Sequence, residues 1–410
     1  MLLGLDMACE KTSTRENIIT AAFSFYSRVI SADVSISMIA GKAGITKAAI
    51  YKHFSSKNDL EDAMRQRIYA DIINALPRFS HNSMSEEDLA AIIYILLCHK
   101  EYVFYSISEM KTFCIDETIF NFGKMGIKAL SDVYDADGNV VRDEIYEKIL
   151  FMSSCIICFI VNRNDLVLSN PPMDDDESRR LFAGKIAHII LNGLEIESGC
   201  ITDVRIKAID SLCREELEKL NAPNRIFVAV ANGIREFGFR KLTVEKVARQ
   251  VGLAKSSMYS KFESKSDMIT SIVVEEFERI CDYIIRCMSH AVSSQECLYL
   301  LLESASEYYL KNPDVLLVCK WLQVQSSRER SKKQADNFIY FVNYLQNCDM
   351  IEKLPDLGLG TETFSSLIMW LFMVPVFNIM HGKMHGMSTE MLRNRVKSFY
   401  HMVCGGCNSL

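Results

Sequence analysis

The sequence predicts an all-α chain of two equal modules, and three observations carry that expectation. The first is a repeat. Ser35 to Phe54 reads S-I-S-M-I-A-G-K-A-G-I-T-K-A-A-I-Y-K-H-F, and Thr243 to Phe262, 208 positions on, reads T-V-E-K-V-A-R-Q-V-G-L-A-K-S-S-M-Y-S-K-F. Laid ungapped, 36–59 against 244–267, eight of 24 positions are identical: Ala40, Gly44, Lys47, Tyr51, Phe54, Ser56, Lys57 and Asp59. A repeat at this period defines the architecture before any other feature is read. The second observation is punctuation: seven prolines in 410 residues, and few alternating apolar runs of the kind strands need. The third is composition. Aliphatic and aromatic residues make up 49%, ample for two helical cores of about 200 residues each.

Each repeat has a physical reading. Ser35 and Thr243 suit the N-cap of a short helix. Ile36, Ile39 and Ala40, and in the second copy Val244, Val247 and Ala248, then share one face at i, i+3, i+4. Gly44 and Gly252 stand where the helix must end in a left-handed residue. Thr46 caps a second helix that buries Ile50 and Phe54. Its outer side presents Lys47, Ala48, Ala49, Tyr51, Lys52 and His53; in the second copy these are Lys255, Ser256, Ser257, Tyr259, Ser260 and Lys261. Two short helices on a tight glycine turn, the second small and basic outside, make a helix-turn-helix whose small residues admit it to a major groove. Lysine and tyrosine suit phosphate contacts. The rings of Tyr51 and Tyr259 are expected in the head's core with their hydroxyls at phosphate, and His53 at a base, a phosphate or a helix end. Lys57 and Lys265 open the following helix, where free backbone amides also favour an anion.

The order capped helix, G-I/L-x-K-x-x-I/M-Y-x-x-F-x-S-K-x-D resembles the DNA-binding head of TetR-type transcriptional regulators. An amphipathic helix precedes it each time: Glu16 to Arg28, with Ser13-x-x-Glu16 as a capping box, and Asn224 to Phe237 after Pro223. The resemblance covers about 50 residues per head. The glycine this family places after its first helix is Gly238 in the second copy but Ile30 in the first, and Ala254 lacks the capping oxygen of Thr46. The resemblance implies helical bodies behind the heads, whose last two helices pack against their symmetry mates as a four-helix bundle. Both pairs lie in one chain here, Asp143–Val161 with Glu177–Glu197 and Glu362–His381 with Ser388–Val403. A single-chain pseudo-dimer is the expectation.

The domains follow in order: 1–12 a leader, 13–58 head one, 59–198 body one, 199–222 a linker, 223–266 head two and 267–410 body two. Helices are expected over Ser85–His99, Tyr102 to about Lys111, Thr118–Val133, 294–310, 313–326 and 331–347, with a loop at Asn164–Asp176. The linker reads as one amphipathic helix with Ile201, Val204, Ile209, Leu212, Cys213 and Leu217 near one face. At 1.5 Å per residue it spans about 30 Å, enough to return the chain from the bundle to the DNA-facing end, although packing on module two fits as well.

The net charge of −6 argues against nucleic acid only when averaged over the chain. Residues 35–67 hold six Lys and Arg against three Asp and Glu, and residues 223–268 hold nine against four. Basic heads on acidic bodies fit a DNA reader. Fourteen cysteines at irregular spacing fit reduced thiols in a cytoplasm. The N-terminus has no signal-peptide pattern, and Phe364–Met380 is short of a membrane span and interrupted by Pro375 and Asn378. No membrane partner is expected.

No nucleophile-base order, glycine-rich phosphate loop or H-E-x-x-H is present, so no catalytic residue and no cofactor is assigned and an enzyme is not expected. Cys404-Gly-Gly-Cys407 with His381 and His385 has zinc-like content, and Asp135–Asn139 resembles the start of a calcium loop. The first sits at the chain end behind Gly382 and Gly386, and the second lacks its bidentate glutamate, so no metal is assigned. Aromatic residues crowd both bodies. TetR-like bodies commonly hold an apolar ligand cavity, with Tyr105, Phe113, Trp321 and Trp370 as candidate lining residues.

The sequence-level expectation is therefore a repressor reading a double-stranded operator as a monomer, answering a small apolar or aromatic effector. The alternatives are a single-headed binder using head two alone, because of Ile30, and a ligand-sequestering or protein-interaction module that has lost DNA binding.

Overall fold

The computed structural model describes residues 13–26, 34–76, 85–108, 115–124, 130, 133, 143–163, 175–196, 201–324 and 360–407, with some side chains inside these spans, Trp321 among them, left out. The expected helix 331–347, the calcium-like turn at Asp135 and Ile30 lie outside the described residues. Among the described residues there is helix and turn but no strand, and the chain is two tandem all-α modules.

In the first module α1 (Thr14–Phe23) is prolonged by a short 3-10 turn, and α2 (Ile36–Ala43), α3 (Lys47–Ile50) and α4 (Lys57–Ala75) follow. The body adds α5 (Glu86–Cys98), α6 (Lys100–Ser108), α7 (Ile115–Lys124), α8 (Asp143–Arg163) and α9 (Asp176–Asn192). The second module repeats the head as α11 (Arg225–Lys241), α12 (Val244–Val251), α13 (Lys255–Tyr259) and α14 (Lys265–Met288). Its body is α15 (Ser294–Lys311), α16 (Pro313–Val324), α17 (Gly360–Met384) and α18 (Thr389–Gly405).

The repeated S-K-x-D is a cap, and this explains why it recurs. Ser56 Oγ accepts from Asp59 N at 3.1 Å while Asp59 Oδ2 accepts from Ser55 N at 2.7 Å. Ser264 and Asp267 do the same in the second head, at 3.0 and 2.8 Å. Each box starts the long helix that carries a head into its body.

The linker α10 (Asp203–Glu218) belongs structurally to the second module. Ile206, Ile209, Cys213 and Leu217 are buried against α14 and α15. Tyr283 donates its hydroxyl to Cys213 O at 2.8 Å, Tyr299 donates to Asp210 at 2.9 Å, and Arg205 forms two hydrogen bonds to Glu296, both at 2.8 Å. The expected buried face was offset at one position: Val204 is 80% exposed and Ile206 takes its place in the core. At about 100° per residue Ile206 falls on the side of Cys213 and Leu217 while Val204 falls on the opposite side, so helix geometry itself selects Ile206.

The modules meet through their last long helices. α8 packs along α17, and α18 packs on both α8 and α9. Trp370 is fully buried at this seam, with ring centroids 5.6 Å from Phe151 and 5.7 Å from Phe159. Arg395 Nε lies 3.2 Å from Glu147 Oε1, and Tyr146 Oη lies 2.6 Å from His381 Nε2. The expected pairing of four helices within one chain is therefore present. α17 runs on through Gly382 to Met384, and the left-handed residue that closes it is Gly386, at φ 69°. Among the described residues no single helix is long and apolar enough to cross a membrane.

Candidate nucleic-acid interface

In head one, Ser35 Oγ accepts from Met38 N at 3.2 Å and opens α2. Gly44, at φ 68° and ψ 27°, closes it, and Ile45 N returns to Ala40 O at 3.0 Å. That left-handed turn is cheap for glycine and costs about 1–2 kcal/mol for other residues. Thr46 Oγ1 then accepts from Ala49 N at 3.1 Å and starts α3. Ile50 and Phe54 are sealed into the head beside Ile36, Ile39 and Ala40. Opposite them Lys47, Ala48, Tyr51, Lys52 and His53 are exposed and Ala49 is half-buried.

Head two follows the same plan with one difference in capping. Thr243 Oγ1 accepts from Lys246 N at 3.3 Å, and Gly252 ends α12 at φ 70° and ψ 28°. Ala254 offers no side-chain cap to α13. Met258 and Phe262 are buried, and Lys255, Ser256, Ser257, Tyr259, Ser260 and Lys261 are exposed. Ser260 donates its hydroxyl to Ser257 O at 3.0 Å, within the helix. α11 bends at Gly238, at φ 71° and ψ 158°, the glycine after the first helix that the sequence singled out.

The two tyrosines depart from expectation. Tyr51 is 46% exposed and Tyr259 44%, so neither ring belongs to the core. Each lies instead beneath its own lysine, Lys47 Nζ 6.0 Å and Lys255 Nζ 5.6 Å from the ring centroid. Ile50 and Met258 already fill the inner face, and a side chain next to them on a helix points about 100° away. The cation over the ring holds an aromatic body and an ammonium together on the outer surface.

The charge environment separates the heads. Lys255 Nζ is 2.6 Å from Glu245 Oε1, and Tyr259 donates its hydroxyl to the same oxygen at 3.3 Å. Lys255 foremost, with the helix-start hydrogen bonds, holds the Glu245 carboxyl down to about 2, and Glu245 in turn raises the Lys255 ammonium. Lys57 pairs with Glu61 at 3.1 Å, and burial lowers the Lys265 ammonium.

A separate apolar cavity of about 240 Å³ lies in the first module. Ile68 and Ile72 of α4, Ile92 of α5, Ile119 of α7 and Ile156 of α8 form its wall, and Phe377, His381 and Met384 of α17 reach it from the second module. Of the aromatic residues expected to line a pocket, Tyr105 and Trp370 do not line this one. Tyr105 is fully buried between Phe23 and Tyr26, with ring centroids at 5.7 and 5.2 Å, and donates to Glu61 O at 3.3 Å. Trp370 fills the seam between modules. The side chains of Phe113 and Trp321 lie outside the described residues. Branched aliphatics make up most of the lining, with Tyr69, Phe122 and Phe377 as its rings.

Cys404 and Cys407 are buried, and burial pushes both thiols up to about 12. Cys407 N donates to Ile190 O at 3.0 Å, while His381 faces Tyr146 and stacks on His385 at 4.3 Å. Among the described residues no cluster of three metal-type ligands is formed.

Residues 18–64 and again 227–272 match the family model described as bacterial regulatory proteins of the tetR family. The matched stretches coincide with the two heads built above. The chain thus holds two tandem TetR-type modules, with the helix-turn-helix heads of a DNA-binding transcriptional regulator family.

Proposed function

We propose that one chain is a complete operator-binding unit, a ligand-responsive repressor acting as a monomer in the cytoplasm. The observation that carries this reading is the bundle of α8, α9, α17 and α18, which pairs the two modules inside one polypeptide. The contacting residues would be Thr46, Lys47, Ala48, Ala49, Tyr51, Lys52, His53 and Lys57 on head one. On head two they would be Lys255, Ser256, Ser257, Tyr259, Ser260, Lys261 and Lys265. Dimeric helix-turn-helix proteins place two recognition helices in major grooves about 34–36 Å apart. Here Ala48, Ala49, Lys52 and His53 stand against Ser256, Ser257, Ser260 and Lys261 at base-reading positions, so the two half-sites are unlike.

The effector reading rests on the first-module cavity. Its wall is nearly all hydrocarbon, which fits a small apolar or aromatic molecule, and α17 links it to the other module. Selection from randomised duplex, followed by light scattering of the complex, tests the whole. One chain bound to one asymmetric site supports it. A perfect palindrome, or two chains per site, overturns it.

A further inference from the structure

We infer that Glu245 is an internal phosphate decoy that weakens head two, leaving head one as the tighter holder of the DNA backbone. This rests on the DNA-binding reading of both heads. It reverses the order suggested by charge count, since the stretch around head two carries more lysine and arginine than the one around head one.

The geometry is local. A backbone phosphate presents anionic oxygen to lysine ammonium and tyrosine hydroxyl donors. In head two one carboxylate oxygen already takes both: Lys255 Nζ at 2.6 Å and the Tyr259 hydroxyl at 3.3 Å. Glu245 sits one turn-helix step away on α12, on the same surface as α13. A phosphate approaching Lys255 must displace that carboxylate or share the site with it, and the second arrangement sets two anions side by side.

Head one has the donors without the decoy. Lys47 and Tyr51 match Lys255 and Tyr259 in the repeat, and the position matching Glu245 is Ser37. Ser37 is exposed and uncharged, with a hydroxyl that can itself donate to phosphate. Among the described residues, neither Lys47 nor Lys52 has a carboxylate within ion-pair distance. Thr46 also fixes the start of α3 through Ala49 N, where Ala254 gives α13 no such hold. The missing carboxylate at Ser37 and the Thr46 cap both favour head one.

The test is a double-mutant cycle on phosphate binding, read by fluorescence anisotropy on a short mixed-sequence duplex across a salt series. Phosphate contacts are sequence-independent, and each one adds about 0.9 to the slope of log affinity against log salt. Lys47→Ala is expected to weaken binding on the order of tenfold, as loss of one charge-assisted contact does, and to flatten the slope by about one contact. Lys255→Ala is expected to weaken binding less than Lys47→Ala does and to flatten the slope by less than one contact, because Glu245 already takes up part of that charge. Glu245→Gln strengthens binding and steepens the slope, and in that background Lys255→Ala becomes as costly as Lys47→Ala. Ser37→Glu transfers the effect, weakening head one and making Lys47→Ala less costly than it is in the parent. All four positions are on exposed or half-exposed surface, so thermal melts should shift little and keep the comparison clean. Equal cost of Lys47→Ala and Lys255→Ala, with no response to Glu245→Gln, overturns the decoy while leaving two DNA-binding heads. Absence of any salt-sensitive binding by the parent and by Glu245→Gln overturns the DNA reading and the decoy with it.

Discussion

Gly193 and Gly406 approach so closely that a Cβ on Gly193 would lie 2.4 Å from the backbone nitrogen of Gly406. A Cβ on Gly406 would lie 2.0 Å from Leu191 O. The end of α9 and the end of α18 cross here as bare backbone, and three hydrogen bonds stitch them. Leu194 N donates to Val403 O at 2.8 Å, Ile196 N to Cys404 O at 3.1 Å and Cys407 N to Ile190 O at 3.0 Å. The crossing joins the two modules at the far end of the bundle, and Gly406 adopts a positive φ of 74° as well. Gly406→Ala combines that strain with overpacking against backbone that cannot yield, so a loss of about 2–5 kcal/mol is expected. Gly44→Ala has the same positive φ but open space around the new methyl, and is expected to cost about 1–2 kcal/mol. Urea unfolding of both variants separates them; equal losses would mean the crossing relaxes freely.

The seam between modules should also be energetically central. Trp370 is enclosed by Phe151 and Phe159, and its truncation to alanine leaves a large void. Trp370→Ala is expected to cost about 3–5 kcal/mol. Tyr146→Phe leaves His381 Nε2 without its 2.6 Å partner and is expected to cost about 1–3 kcal/mol. If the modules are one cooperative unit, hydrogen exchange should accelerate in α8 and α17 together in both variants. Faster exchange in only one of these helices would show that each module stands alone.

The heads were legible in sequence because everything that builds them is local. Ser35, Gly44, Thr46 and the S-K-x-D box each act within four residues, so spacing alone reveals them. The seam is different in kind. Tyr146 and His381 are 235 positions apart, and only the resemblance to a symmetric dimer suggested that their helices meet. The outward swing of Tyr51 and Tyr259 was missed because an aromatic residue beside buried Ile50 or Met258 reads as core until the lysine above it is seen. The contact of Glu245 with Lys255 was missed for another reason. Comparing two copies draws the eye to identities, and this contact arises where the copies differ, glutamate against Ser37.

The first-module cavity should bind apolar probes that the solid seam excludes. Its volume of about 240 Å³ exceeds the roughly 150 Å³ apolar cavity known to take up benzene. Indole or naphthalene is expected to raise the melting temperature, with stabilisation of about 2.7 kcal/mol when free probe reaches a hundred times its dissociation constant. Ile119→Trp fills the space from the α7 side and should abolish the shift. A shift that survives Ile119→Trp would place the probe elsewhere.

Glu303 gives the molecule a pH dependence of unusual sign. Burial pushes its carboxyl well above the ordinary range of about 4.5, reinforced by Asp210 and Glu307 and only partly offset by Arg214 and Arg393. Asp210 and Glu276 are raised as well, each chiefly by burial. A carboxyl raised on folding keeps its proton in the folded chain while the unfolded chain gives its proton up. Stability from this source is therefore greatest at or below the unfolded value and falls as pH climbs toward the folded one. Glu245, Glu216 and Glu296 run the other way: their carboxyls are lowered, and the stability they lend is present above about pH 4.5 and lost as pH falls. The two sets together place the optimum near mildly acidic pH, with a decline toward alkaline conditions. Glu303→Gln keeps the shape and removes the proton, so it should be more stable than the parent at pH 8 and little changed at pH 5. Chemical denaturation at the two pH values decides it, and a variant less stable than the parent at pH 8 would mean that the buried carboxylate is held by a favourable contact stronger than its burial cost.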